Sequence, residues 1–223
     1  MEDVAGRLAG VRDRIAAVGG DPDALTLVAV TKGFGPEQVA AVRAAGIVDV
    51  GENYAQELLA KSASTDAGAR WHFLGAIQRR KVAALAPFVH LWQSVDRLVA
   101  GHEVARHAPG AAVLVQVNVT EQPGRPGCAW AEAPALVEGL RQADLDVRGL
   151  MAVGSTRGSR QEFRRLASLR AALGLQEVSI GMSDDLEVAV QEGSTMVRVG
   201  RSLFGPRPGA ADLRRYSHPR GGW

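Results

Sequence analysis

Three lysines, Lys32, Lys61 and Lys81, stand against 23 arginines in this chain of 223 residues. Where arginine supplies the charge by default, a lysine raises the question of what a primary amine does that a guanidinium does not. Condensation with an aldehyde to an imine is the main answer, because guanidinium stays protonated and unreactive. Lys32 follows the apolar run Leu27-Val-Ala-Val-Thr31, which reads as a strand with the lysine at its C-terminal end. Taken alone, a strand-end lysine is ordinarily just solvated. Its companions at the other candidate strand ends change that reading. They are Gly51-Glu52-Asn53, His72, Gly75, Ser94-Val95-Asp96, Gln116, Asn118, Met151, Gly181-Met182-Ser183, and Arg198 with Gly200, Arg201 and Ser202.

Two of these ends have the residues an anion needs. Gly181 and Gly200 let the backbone come close to a phosphate. Ser183, just ahead of Asp184-Asp185-Leu186-Glu187, is expected to cap a helix whose free N–H groups bind that phosphate. Asp184 and Asp185 oppose an anion there, so the reading requires their side chains to turn away and serve the helix dipole. Other groups carry plainer readings. His72, inside Trp-His-Phe, is expected to be a hydrogen-bonded core histidine. Glu52 is either a general base or a buried or capping carboxylate. Met151, Met182 and Met196 read as core filler, and Arg79-Arg80-Lys81 as a solvated helix start. The five histidines and single cysteine show no metal-ligand spacing, and no metal is expected.

These ends converge only if the right elements position them. Residues 2–18 read as a helix, with Val4, Leu8, Val11, Ile15 and Val18 at alternating four- and three-residue spacing. Candidate strands follow at 25–31, 48–51, 71–74, 91–95, 113–119, 147–153, 178–181 and 196–199. Candidate helices lie between them near 36–45, 53–63, 78–86, 97–107, 131–143, 159–173 and 184–192. Several strands are continuous and β-branched, as parallel strands buried on both faces are. Strict β-α alternation over eight strands points to a single (β/α)₈ barrel with an extra N-terminal helix, whose functional groups gather at the C-terminal strand ends. An open doubly wound sheet is the alternative. The barrel is expected to span 1–206. The Pro-, Gly- and Arg-rich stretch 207–223 is expected to be a disordered tail.

Bulk composition narrows the function classes. Hydrophobic residues make up 46% and charged residues 22%, the balance of an ordinary globular domain. No apolar run reaches the roughly 20 residues of a membrane helix. The opening Met-Glu-Asp-Val-Ala-Gly-Arg lacks the apolar core of a secretory signal, and Cys128 has no second cysteine to pair with. A cytoplasmic setting is therefore expected. The pI near 9.0 does not signal nucleic acid. The net charge is only +2, and Arg207, Arg214, Arg215 and Arg220 against Asp212 put more than all of it beyond residue 206. No membrane or nucleic-acid partner is expected, and a monomer is preferred.

Taken together, the motifs resemble those of the pyridoxal phosphate homeostasis proteins. The matching stretches are Val-Ala-Val-Thr-Lys32, Gly51-Glu-Asn-Tyr-Ala-Gln-Glu57, Trp71-His-Phe-Leu-Gly75 with Gln78 and Lys81, Gln116-Val-Asn118, and Arg148-Gly-Leu-Met151. Gly181-Met-Ser-Asp-Asp-Leu-Glu187 and Gly193-Ser-Thr-Met-Val-Arg-Val-Gly200 with Phe204-Gly205 complete the set. They run in order from about residue 28 to 205. The resemblance implies a fold-type III barrel like the N-terminal domain of alanine racemase, with pyridoxal 5′-phosphate as a Schiff base on Lys32. It also implies phosphate contacts from Ser183 and from the backbone at Gly200, Arg201 and Ser202, with Arg198 facing the pyridine nitrogen. Asn53 joins this set of cofactor contacts. A cationic neighbour disfavours protonation of that nitrogen, and an unprotonated ring is a poorer electron sink. The chain departs from the family pattern at Gly33-Phe34-Gly35-Pro36, at Arg80 and at Arg125-Pro126-Gly127.

Three functions fit. The resemblance favours a non-catalytic carrier of pyridoxal phosphate in vitamin B6 and amino-acid homeostasis, with cofactor-dependent apo-enzymes as recipients. A small amino-acid racemase using the same cofactor is the alternative. A phosphate-ligand barrel in which Lys32 is incidental is the third. A two-base racemase needs an acid/base on the cofactor face opposite the lysine, and the only tyrosines, Tyr54 and Tyr216, are not expected to supply it.

Overall fold

The computed structural model describes residues 3–64, 68–155 and 159–206; the expected disordered tail lies outside the described residues. Eight parallel strands close into a barrel in sequence order. They are β1 (Thr26–Val30), β2 (Asp49–Glu52), β3 (Arg70–Phe73), β4 (Val89–Val95), β5 (Ala112–Gln116), β6 (Asp146–Met151), β7 (Glu177–Ser179) and β8 (Met196–Val199). The seam is β1 against β8, running from Thr26 opposite Met196 to Ala29 opposite Val199. That pairing decides for the barrel and against the open sheet.

Helices α2 (Pro36–Ala44), α3 (Ala55–Ser64), α4 (Arg79–Leu85), α5 (Leu98–His107), α6 (Ala133–Gln142), α7 (Ser159–Ala172), α8 (Leu186–Gln191) and α9 (Arg201–Phe204) follow the strands in turn. Ahead of them runs α1 (Val4–Ala17), capped where the Asp3 carboxylate accepts from the Gly6 N–H at 2.7 Å. Its buried face of Val4, Leu8, Val11 and Ile15 packs α1 against α8 and α9, the helices that follow β7 and β8.

Successive strand side chains point to opposite faces, and the two apolar cores separate on that rule. Val28, Leu91, Ala112, Leu114, Met151 and Met196 fill the barrel interior. Ala29, Trp92, Val113, Leu150 and Val197, each adjacent in sequence to one of these, belong to the layer between sheet and helices. Strand 113–119 of the sequence reading ends earlier, at Gln116. Beyond it Val117 forms an isolated bridge with Cys128, because the 118–127 segment folds back over the strand end.

A chain of polar side chains threads the interior. At the N-terminal end, the floor, Arg70 donates to Asp49 at 2.9 and 2.6 Å. Asp49 Oδ1 lies 2.9 Å from His72 Nε2, and His72 Nδ1 lies 2.7 Å from Gln93 Nε2. Ser179 Oγ donates to Gln93 Oε1 at 2.7 Å, and Arg198 donates to Ser179 Oγ at 2.6 Å. Buried polar groups are costly unless paired, and each link here supplies a neighbour's partner.

Candidate functional site

The C-terminal mouth of the barrel holds a cavity of about 360 Å³, at the lower end of the range for small-molecule sites. Lys32, Asn53, Ser183, Arg198, Gly200 and Arg201 all line it, with Gln116, Met151 and Met182. Ser202 joins them through its backbone N–H, which donates to Ser183 Oγ at 3.1 Å. The set named from the sequence thus meets at one place.

Lys32 leaves β1 at a turn fixed from beneath by a buried ion cluster. Lys61 on α3 donates to the Thr31 carbonyl at 2.8 Å, to Glu52 at 2.6 Å and to Glu57 at 3.0 Å. Thr31 Oγ1 donates to Glu52 at 2.6 Å, and the Gly33 N–H donates to Glu57 at 2.7 Å. The backbone on both sides of Lys32 is therefore held by side chains. Glu52 is fully buried; burial pushes its carboxyl up, against the pull of Lys61. Of its two readings, the buried carboxylate is the one the structure supports. The sequence reading assigns Lys61 no role, although it is one of only three lysines and lies on the helix that begins within the Gly51–Glu57 motif.

The departure at Gly33-Phe34-Gly35 has a visible role. Gly33 takes the left-handed backbone, φ 76°, and Phe34 turns in to pack on Phe204 with ring centroids 5.0 Å apart. This contact ties the end of β1 to α9 across the seam. Two strands along from β1, Gly75 leaves room for the β2 end, since a Cβ there would fall 1.8 Å from the Asn53 carbonyl. Arg80 lies with Asn53, Tyr54 and Lys81 in a separate depression, and Pro126 lines the main cavity.

The phosphate-ready end differs from the sequence reading. Ser183 does not cap α8, which begins at Leu186 with Asp185 in the cap position and no side-chain cap bond. Residues 182–185 form a turn, closed by the Asp185 N–H on the Met182 carbonyl. Ser183 Oγ is thereby aimed at the next strand's loop. The two acids do turn away, to partners other than a dipole: Asp184 pairs with Arg201, and Asp185 accepts from the Met182 N–H at 2.6 Å. With α8 six residues long and α9 four, the donors available here are individual N–H and hydroxyl groups.

Arg198 is buried at the cavity base. It donates to the carbonyls of Ser179 at 2.7 Å and Ala152 at 2.8 Å. Burial lowers its guanidinium to about 10, still charged at neutral pH. Two residues read as facing the mouth do not. His72 sits mid-barrel, 1% exposed, as the core reading had it. Asn118 folds onto its own loop, donating to the Gln122 carbonyl at 3.0 Å and accepting from Thr120 at 2.9 Å. Cys128 is no nucleophile at neutral pH, since burial and the nearby Glu132 push its thiol up to about 12. Among the described residues the titratable groups lining the cavity are Lys32, Arg198 and Arg201; none groups as a metal site, and no helix is long and apolar enough to cross a membrane.

The donor set suits an aldehyde bearing a phosphate: one amine, two glycine-bearing loops with hydroxyl and N–H donors, and a buried cation. The family model of the alanine racemase N-terminal domain matches residues 14–208. A Pseudomonas aeruginosa protein named pyridoxal phosphate homeostasis protein is 40% identical over 218 residues, covering 92% of this chain and 95% of that one. An Escherichia coli protein of the same name is 33% identical, covering 93% and 98%. The structure of PipY from Synechococcus elongatus with PLP bound superposes with a TM-score of 0.81 at 30% identity, covering 91% of this chain and all of that one. An alanine racemase from Clostridium difficile superposes at 0.73 with 13% identity, a likeness of fold alone.

Proposed function

From its membership of the pyridoxal phosphate homeostasis protein family, to which this chain belongs, we propose that the protein binds pyridoxal 5′-phosphate as a Schiff base on Lys32. In this reading it carries the cofactor without turning over a substrate. The observation that carries the proposal is the placement of Lys32 on one cavity with the Ser183 and Gly200–Ser202 loops, the latter following the strand that pairs with its own. When bound, the cofactor supplies an aldehyde carbon to the amine and a phosphate to those loops. Ser183 Oγ and the backbone N–H groups at Gly200, Arg201 and Ser202 hold the phosphate. Asn53, at the end of β2, orients the ring. Arg198 faces the ring nitrogen, and as a cation it disfavours protonation there. Lys61, Glu52 and Glu57 hold the backbone at Lys32, so the amine enters the cavity from a fixed turn.

The groups that line the cavity among the described residues support retention without turnover. Racemisation needs a proton removed on one face of a carbon and delivered on the other. Lys32 serves one face. The other titratable groups on the wall are Arg198 and Arg201, and guanidinium is a poor base. Tyr54 lies 58% exposed, outside this cavity. The racemase alternative therefore lacks a second base among the described lining residues. In the cell the protein hands the cofactor to cofactor-dependent apo-enzymes and buffers vitamin B6 and amino-acid pools, acting in the cytoplasm as a monomer.

The test is an absorbance spectrum of the purified protein before and after borohydride reduction, with mass mapping of the reduced adduct. A trapped adduct on Lys32 is expected. An adduct on Lys61 or Lys81 would falsify the assignment. Incubation of the loaded protein with L-amino acids in deuterated water should give little Cα exchange and no D-isomer. Robust D-isomer formation that disappears in Lys32→Ala would make the racemase reading correct.

A further inference from the structure

Helix α1 stands outside the eightfold repeat, yet one of its side chains reaches the mouth. Arg14 grips Glu187 on α8 with both arms of its fork, Nε to Oε1 at 2.6 Å and Nη2 to Oε2 at 3.0 Å. The same Nη2 donates to the Ser183 carbonyl at 2.9 Å. Nη1 donates to the Ser202 hydroxyl at 3.4 Å. One guanidinium therefore holds the loop after β7, the helix that follows it and the turn after β8. A planar fork with several donors in fixed directions is what such a junction requires, and an ammonium does not supply it.

These are the two loops that meet through the Ser202 N–H on Ser183 Oγ. The local charges nearly cancel, since Arg14 faces Glu187 and Arg201 faces Asp184. An anion bound there is held by the placement of hydroxyl and N–H donors more than by net positive charge. The distance between the two loops then decides how many donors reach one phosphate. Arg14 sets that distance from outside the cavity, being absent from its lining.

We propose that Arg14 is a positioning residue of the phosphate pocket, and that through it helix α1 gives the site its selectivity for the phosphorylated form of its ligand. This rests on the placement of the phosphate at the Ser183 and Ser202 loops given above. Arg14 touches no reacting atom. Its effect is confined to ligands that carry the phosphate.

The test compares dissociation constants of pyridoxal 5′-phosphate and pyridoxal for the full chain and for Arg14→Met, which keeps the aliphatic stem on α1 and removes the fork. For wild type, pyridoxal 5′-phosphate should bind much the more tightly. In Arg14→Met its dissociation constant should rise about 10-fold, the scale of losing hydrogen bonds to a charged group, while that of pyridoxal stays within about 2-fold. Thermal melting of the ligand-free protein is followed in parallel. Arg14→Lys, which keeps charge and stem, serves if Arg14→Met does not fold, and its selectivity should lie between the other two. Equal weakening of both ligands in a variant, tracking a lower melting temperature, would mean that Arg14 only docks α1 and would overturn the inference. Unchanged selectivity in both variants would overturn it as well. Equal binding of the two ligands by wild type would instead remove the phosphate pocket itself, and the inference with it.

Discussion

The two ends of the barrel use the same kind of inward-facing position in opposite ways. At the floor Asp49 accepts from Arg70 through both carboxylate oxygens and lies 2.9 Å from His72. The partners there are side chains of adjacent strands, and His72 alone carries the chain onward, to Gln93. At the mouth the partners of Arg198 and Ser183 are largely backbone groups of the strand ends and loops, and about 360 Å³ is left open beside Lys32. Side-chain pairs between neighbouring strands add to the stability of the sheet. Groups held by loops present their remaining valences to a ligand. Gln93 and Ser179 stand between the two regimes and join them.

The sharpest way to break this contrast is Lys32→Ala. It should abolish the borohydride-trapped adduct altogether while leaving the melting temperature of the ligand-free protein within a few degrees. A substantial loss of stability would mean that the mouth is also structural. Asp49→Ala is the converse. It leaves His72 without its carboxylate partner inside the barrel and Arg70 unpaired at the floor, and should cost about 1–2 kcal/mol of unfolding free energy, between the scales of an exposed and a buried ion pair because Arg70 is half exposed, measured by denaturant titration. The adduct on Lys32 should persist in the folded fraction, and its loss would show the two ends to be one unit. Ser183→Ala should weaken cofactor retention by about 1–3 kcal/mol, the size of one hydrogen bond to a charged group, with little change in stability. Equal dissociation constants for Ser183→Ala and wild type would take the serine out of the phosphate pocket.

The smallest effect concerns acid. Burial works against the Asp49 carboxylate, but hydrogen bonds from His72 and Arg70 overcome it and hold the group below the usual carboxylate range. A carboxylate lowered on folding adds stability that is present above its unfolded pKa, about 3.9, and is lost as pH falls through the folded one. The stability gap between wild type and Asp49→Asn should therefore narrow as pH is taken from 5 to 3. A gap that stays constant with pH would mean that the pair contributes through packing alone.

The strands were legible because both of their faces are buried, so runs such as Leu-Val-Ala-Val need no alternation to be recognised. Residues that end those strands were legible for the same reason, and Lys32, Ser183 and Arg198 fall where the runs predict. What could not be read depends on contacts between distant segments. Arg14 sits on the polar edge of an amphipathic helix, where its type and spacing match any solvated arginine. Gln93 and Ser179 lie inside apolar runs at positions that mean an interior only once the barrel is closed. The Ser183 cap failed on a local matter: the 182–185 turn takes up the residues that were assigned to the first turn of a helix. Asn118 failed because its strand stops at Gln116, three residues before its β-branched pattern ends at Val119.

Closure of the seam also has a consequence for the order in which this protein is made. Lys32 leaves the ribosome early, whereas the Ser183 and Gly200–Ser202 loops are among the last of the described residues to emerge, and the Arg14–Glu187 contact spans 173 residues. No nascent fragment that lacks β8 has both halves of the mouth. Contacts of such separation are paid for in loop-closure entropy before they return anything, which slows folding. A ligand that bridges the two halves binds the finished barrel alone, so by mass action it draws late folding intermediates toward the closed state. The supply of cofactor during synthesis would then set the yield of mature protein as well as its occupancy.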